Sequence, residues 1–245
     1  MNGIIIVNKP PGWTSFDVVA KVRNVTRVAK VGHSGTLDPM ATGVLPIFLG
    51  KATKSIQYFM TGDKGYEGEM TLGIKTDTGD ADGKVIMTND QCQMTNERIR
   101  EAMSKYIGEI EQVPPMHSAI KVKGKRLYEL ARQGIEIERQ PRKVNIYDLR
   151  LLEPETERLG SNKVSFTVLC TKGTYVRQLA VDIGDDLGCG AHLSKLSRFY
   201  AHPFHISQAL DLDTIVTMAK ADILSSVVLN PEEILAGMRE GAANG

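Results

Sequence analysis

The apolar positions of this chain come in short runs whose period changes often. Residues 3–7, "GIIIV", form an unbroken apolar run closed by Lys9-Pro10-Pro11, which reads as a short buried strand meeting a turn. In residues 14–28, "TSFDVVAKVRNVTRV", Val18, Val22 and Val25 recur at helical spacing. Thr14 with Asp17 three residues on resembles a capping box, with Asp in place of the usual Glu. A turn follows that carries three glycines and two prolines between residues 32 and 46, which excludes a regular helix there. Next, "VLPIFL" (44–49) predicts a strand and "KATKSIQYFM" (51–60) a short helix. In "YEGEMTLG" (66–73), Tyr66, Gly68, Met70 and Leu72 alternate with polar residues, a half-buried strand.

Further on, "TDTGDADG" (76–83) is an acidic loop, and residues 95–107 form an amphipathic helix ended by Gly108. "RLYELARQG" (126–134) is a short helix stopped by Gly134, while "RKVNIYDLRLLE" (142–153) and "KVSFTVLC" (163–170) are strands. Residues 174–187 and roughly 206–219 read as helices, and "EGAANG" as a frayed tail. Strands and helices alternate irregularly, and no unit of about 30 residues repeats. The expected class is α+β, with a mixed, largely antiparallel central sheet flanked by helices and loops. No Ser/Gly/Pro-rich linker divides the chain, so one continuous domain is the simplest organisation.

Composition adds little until charge is mapped. With 42% apolar and 24% charged residues the chain is an ordinary globular one, and no apolar run nears the roughly 20 residues of a membrane span. The N-terminal run does not fit a signal peptide. Three scattered cysteines (Cys92, Cys170, Cys189) argue against a disulfide framework and for a reducing cytoplasm. The net charge of +1 conceals an uneven distribution. Residues 1–54 hold seven Lys/Arg against two Asp, residues 114–143 eight against three Glu, and residues 205–245 two against six acidic residues. Basic segments suit a polyanion such as RNA, although solvated helix faces would give the same count.

Several tempting sites fail. In "GVLPIFLGKATK" six residues separate Gly43 from Gly50 where a phosphate loop has four, and Ala52 stands where the Mg²⁺-binding hydroxyl belongs. "TGDADG" lacks the first and last acidic ligands of a calcium loop, leaving a solvated turn as the expectation. Cys189, His192, His202 and His205 match no common zinc spacing. What survives is Asp38, a carboxylate in the Gly-rich turn "VGHSGTLDPMATG". An Asp before Pro is commonly a turn former. The rest of the chain nevertheless supplies rings able to stack on a base, Tyr66 and Tyr175, and an arginine, Arg177, just beyond Tyr175.

The blocks "NKPPGWTS", "GHSGTLDPMATGVLP", "KGYEGEMTLG", "VPPMHSAIKVKGKRLYELAR" and "TKGTYVRQLAVDIGDDLGCGAHLSKLSR" occur in this order over nearly the whole chain. Together they resemble the TruB family of tRNA pseudouridine synthases. The resemblance implies the pseudouridine synthase fold and isomerisation of uridine 55 in the T loop of tRNA, with Asp38 as the catalytic residue. Tyr66 is then expected to stack on the target uracil and to help remove a proton, and Arg177 to pair with Asp38. Tyr175, in the same block as Arg177, would bind the substrate, Leu196 would line the uracil pocket, His33 would fill the space left by the flipped nucleotide, and Lys9 would support the site. A Gly-rich turn would let the flipped nucleotide approach the backbone closely. Isomerisation has no redox step and consumes no water, so no cofactor and no metal is implied.

The segment at about 112–142, with Lys121, Lys123, Lys125, Arg126 and Arg132, is expected to contact the RNA backbone of the T arm and to order on RNA. The implied partner is tRNA, with no membrane and no obligatory protein partner. Residues 1–205 would be the catalytic domain. Residues 206–245 would be a helical C-terminal segment, with the small β-type RNA-binding (PUA) domain of most bacterial members absent. Two other readings remain open: a non-catalytic RNA-binding or RNA-folding module, and a guide-RNA-dependent relative of the dyskerin type.

Overall fold

The computed structural model describes residues 1–89, 92, 94–118, 120–122, 124–131, 133–152 and 162–243. The chain begins with β1 (Gly3–Lys9), α1 (Ser15–Thr26), β2 (Val31–His33), β3 (Thr42–Leu49), α2 (Ile56–Phe59) and β4 (Lys64–Leu72). It continues through β5 (Ile74–Thr76), β6 (Val85–Thr88), α3 (Asn96–Ser104), β7 (Gly108–Gln112), β8 (Lys121–Val122), β9 (Lys125–Arg126) and α4 (Leu127–Ala131). Then come β10 (Arg142–Leu152), β11 (Lys163–Cys170), α5 (Val176–Asp186) and β12 (Ala191–Ala201). The last elements are β13 (Phe204–His205), β14 (Leu210–Asp211), α6 (Leu212–Lys220) and α7 (Pro231–Ala243).

Two compact units result, Met1–Tyr66 with Ser197–Gly245, and Glu67–Leu196. The chain leaves the first unit within β4 and re-enters it within β12.

In the first unit β3 pairs antiparallel with both β1 and β2, while β14 runs parallel to β1 and the end of β12 parallel to β3. The apolar run of β1 is continuous because both of its faces are buried. Ile4 and Ile6 join Val44, Phe48, Phe59 and Phe204 in one core, against which Ile234, Leu235 and Met238 of α7 pack. Helix α1 starts as predicted. The Thr14 hydroxyl accepts from the Asp17 amide at 3.1 Å, and the Asp17 carboxylate accepts from the Thr14 amide at 2.8 Å. Bonds donated to it by the Thr14 hydroxyl, at 2.6 Å, and then by the Thr14 amide hold the Asp17 carboxyl below its ordinary range.

In the second unit β10 pairs antiparallel with β11 and with β7. Strand β11 alternates cleanly, burying Val164, Phe166, Val168 and Cys170. Gly68 in β4 lies against the Phe166 ring, where a Cβ would come within 2.6 Å. The pairings of both units give the mixed, largely antiparallel α+β class expected from the sequence.

Three local expectations change. Residues 51–60 are a 3₁₀ turn (Gly50–Ser55) and one α turn, not a regular helix. Thr53 and Ser55 hydroxyls bond to the carbonyls of Gly50 and Ala52, favouring the tighter turn. Residues 206–219 begin as a 3₁₀ turn and the short strand β14, the helix starting only at Leu212, because Leu210 and Asp211 pair with β1. The acidic loop 76–83 is not wholly solvated: Asp80 is buried.

Candidate active site

The turn that carries Asp38 is held on both sides of it. Asp38 itself is half-buried, and its carbonyl accepts from the Ala41 amide at 3.0 Å, with Pro39 in the second position of a tight turn. On the N-terminal side, the buried Ser15 hydroxyl takes the Leu37 amide at 2.9 Å and donates to the Leu37 carbonyl at 3.3 Å. On the C-terminal side, the Pro39 carbonyl accepts from the Gly12 amide at 2.9 Å and from Lys9 Nζ at 3.0 Å. Helix α1 and strand β1 thus fix the residue before Asp38 and the residue after it. Its backbone has little freedom.

Two buried cations lie by this turn. Lys9 uses all three ammonium protons on carbonyls, those of Pro10 (2.9 Å), Trp13 (2.6 Å) and Pro39. Arg198, 1% exposed, donates from Nε to the Val44 carbonyl at 2.8 Å, from Nη2 to Gly35 at 3.2 Å and from Nη1 to Thr36 at 3.5 Å. Register explains their meeting: Lys9 pairs with Gly43 across β1 and β3, and Gly43 pairs with Arg198 across β3 and β12. Gly43 has φ +102°, and a Cβ there would collide with the Arg198 backbone. Gly35, whose carbonyl Arg198 binds, has φ +108°. These two glycines serve the backbone path and the packing of Arg198.

Burial pushes the Lys9 ammonium down to about 8, an effect that nearby Asp38 opposes and Arg198 reinforces. His33, at the end of β2, is likewise held below its ordinary value, chiefly by burial and then by Arg198. Its ring meets Phe16 edge-on, with centroids 5.4 Å apart. Tyr66 lies on β4, buried. Lys9, His33 and Asp38 therefore gather in the first unit, with Arg198 beneath their turn.

The second unit holds Tyr175, Arg177 and Leu196. Tyr175 caps α5 and is clamped by the buried Gln112 side chain, whose Oε1 accepts from the Tyr175 amide at 2.7 Å and whose Nε2 donates to its carbonyl at 3.1 Å. Arg177 Nη1 is 3.1 Å from Asp80 Oδ2, both side chains being buried. The same guanidinium donates to the Thr78 carbonyl at 3.2 Å and the His117 carbonyl at 3.1 Å. Asp80 also accepts from the Thr78 hydroxyl and the Asp82 amide. Leu196 is half-buried on β12.

Of the RNA-backbone candidates, Lys121, Lys125 and Arg126 lie on the β8–β9 hairpin, turned at Gly124 with φ +84°. Arg126 bonds to the Tyr128 hydroxyl at 2.9 Å and lies over that ring. Lys123 and Arg132 fall outside the described residues.

Sequence reasoning missed Ser15, Asp80, Gln112 and Arg198. Arg198 closes the block "AHLSKLSR" and Asp80 lies in the acidic loop, so both stood in stretches already singled out. What marks them, burial beside a partner distant in sequence, is a property of the fold.

The architecture recurs in solved structures. A chain of a Cbf5-Nop10-Gar1 complex is 31% identical, with a TM-score of 0.74 over 95% of this chain and 61% of that one. A chain of an H/ACA RNP bound to a substrate RNA containing 2′-deoxyuridine is 28% identical, with a TM-score of 0.70 over 95% and 60%. The family model described as TruB family pseudouridylate synthase (N terminal domain) matches residues 23–176. Fold and matched model together define a pseudouridylate synthase.

Residues 177–236 match a second model, described as the tRNA pseudouridylate synthase B C-terminal domain. The chain belongs to the TruB family. Among curated relatives, tRNA pseudouridine synthase B of Alkaliphilus oremlandii is 49% identical over 97% of this chain and 74% of its own length. That of Geobacillus thermodenitrificans is 46% identical over 96% and 78%.

Proposed function

We propose that this chain isomerises uridine 55 in the T loop of tRNA to pseudouridine, with Asp38 at the reacting centre. One observation carries the assignment of the centre: the residues flanking Asp38 are each pinned by buried groups, Ser15 on one side and Lys9 on the other. A carboxylate held this rigidly is preorganised to meet a sugar whose C1′ develops positive charge. The names of the relatives support tRNA as the substrate.

In this reading the target uridine leaves its stack, at a cost of a few kcal/mol. Tyr66 stacks on the uracil, returning about 1–3 kcal/mol. Arg177 pairs with Asp38 and orients it; Tyr175 and Leu196 line the pocket, and His33 fills the vacated space. The N1–C1′ bond breaks, the uracil turns, and C5 bonds to C1′. C5 then gives up its proton, N1 gains one, and atoms and electrons balance with no oxidant. Lys121, Lys123, Lys125, Arg126 and Arg132 hold T-arm phosphates. The protein acts in the cytoplasm without an obligatory protein partner. No helix of the described residues is long and apolar enough to cross a membrane.

The test uses tRNA transcribed with tritium at uridine C5. Wild-type protein should release tritium, and Asp38→Ala should release none while binding tRNA within a few fold of wild type. Loss of binding as well as turnover would make Asp38 structural. Tritium release that requires an added guide RNA would favour the guide-dependent reading.

A further inference from the structure

The first unit carries a surface that the reaction chemistry leaves unused. Along α1, Phe16, Ala20 and Arg23 follow one another at spacings of four and three residues, and Arg27 caps the helix in the left-handed conformation; all four are exposed. Such spacing lines the first three up on one side of the helix, over about 10 Å, with Arg27 at its C-terminal end. The two ends differ in chemistry. Phe16, 64% exposed, meets the His33 ring, and Trp13, also exposed, has its carbonyl on Lys9 Nζ. The aromatic end thus borders the turn that carries Asp38. At the far end, three residues beyond Arg27, the Lys30 carbonyl accepts from the Gly50 amide at 2.8 Å, which brings exposed Lys30 and Lys51 together.

These cations are unneutralised. Among the described residues none of Arg23, Arg27, Lys30 and Lys51 makes an ion pair. On the second unit, by contrast, Lys75, Lys105, Lys143, Arg150 and Lys195 each have a carboxylate within 4 Å. An aromatic end followed by a row of free cations is a pattern for nucleic acid, rings for unpaired bases and charges for phosphates.

We infer that this edge of α1 is a second RNA track, which seats the stem–loop that delivers the target uridine. Loop bases lie on Phe16 and Trp13 beside Asp38, and stem phosphates lie along Arg23, Arg27, Lys30 and Lys51. The inference rests on the tRNA reading proposed above. Its geometry sets a direction, with the loop at the N-terminal end of α1 and the stem running toward its C-terminal end.

The experiment is a salt titration of binding to an isolated T-arm hairpin carrying tritiated uridine. For the triple variant Arg23→Gln, Arg27→Gln, Lys30→Gln, the slope of log K against log salt should become shallower by about 2–3, since each duplex phosphate contact contributes about 0.9. Phe16→Ala should leave the slope alone and weaken binding roughly tenfold, as loss of a stacked base does. A wild-type slope in the triple variant overturns the inference. All four side chains are exposed, so folding should survive, and thermal melting checks it. A benzophenone amino acid at position 20 gives an independent readout: crosslinks to the T arm of intact tRNA are expected, and crosslinks confined to another arm overturn the inference. Tritium release by wild type is scored separately. The slopes and crosslinks decide the track, whereas failure of wild type to turn over the hairpin and intact tRNA decides against the pseudouridine synthase reading.

Discussion

Ser15 in the first unit and Gln112 in the second make the same kind of clamp. Each is buried, and each binds both the amide and the carbonyl of one residue near a proposed site group, Leu37 before Asp38 and Tyr175 before Arg177. The electrostatics beside the two clamps differ. In the second unit Arg177 shares its burial with the carboxylate of Asp80. In the first, Lys9 and Arg198 bond six times to carbonyls. One clamp sits beside a buried ion pair and the other beside two buried cations whose protons go to carbonyls. Backbone precision and local potential are therefore separate properties here, set by different residues, and substitutions can alter one without the other.

The largest expected effects come from the charged groups. Asp80→Asn removes one member of a buried ion pair, a change that costs about 3–5 kcal/mol. Arg198→Met removes a buried charge together with three hydrogen bonds. Relief of the desolvated charge offsets part of the loss, so about 1–3 kcal/mol is expected. Activity should respond more strongly to Arg198→Met, with kcat falling on the order of 10²-fold as the Asp38 turn shifts, and KM changing little. Urea unfolding beside single-turnover tritium release separates the two. If Arg198→Met destabilises as much as Asp80→Asn and spares kcat, Arg198 is a staple of the fold and the contrast fails.

The clamps come next. Ser15→Ala and Gln112→Ala should each leave buried backbone groups of one residue unpaired, at about 1–3 kcal/mol. If the two are equivalent devices, their stability losses match, and each lowers kcat by roughly tenfold through the residue it positions. Water entering the larger space left by Gln112→Ala could restore the bonds to Tyr175, which would show as a smaller loss there and would sharpen the contrast with the tighter Ser15 site.

How much of this could be read from residues alone depended on range. The Ile4–Val7 run, the Thr14–Asp17 cap and the Gly/Pro turn around Asp38 act over a few residues, and the structure keeps all three. The Thr53 and Ser55 hydroxyls, which tightened a predicted helix into a 3₁₀ turn, are local too, but their choice of acceptor is not visible in periodicity. The missed residues act at long range. Gln112 reaches Tyr175 across 63 positions and Arg198 reaches Val44 across 154. Only the register that aligns Lys9, Gly43 and Arg198 makes a glycine in β3 the reason that a buried arginine fits. Asp80 looked like one of several loop carboxylates because nothing nearby in sequence announces Arg177.

The smallest effect expected is also the one that best tests whether the charge by Asp38 matters in itself. Lys9 is pushed down to about 8 by burial, from a value of 10.5 in the unfolded chain. Between these values the unfolded state binds more protons than the folded one, so this group's contribution to stability rises with pH across the window. The penalty for burying the ammonium is complete below pH 8. Activity should move the other way. Losing a proton leaves Lys9 one donor short for its three carbonyls, the Pro39 carbonyl among them, and removes the charge beside Asp38. Protonated Lys9 is about fourfold scarcer at pH 8.5 than at pH 7, and kcat should fall by about that factor. Lys9→Met should be slow and flat across this range, because it lacks the titrating group. A general loosening of the protein in alkali would instead lower stability and kcat together in wild type and variant alike, and that result would detach Lys9 from the reaction.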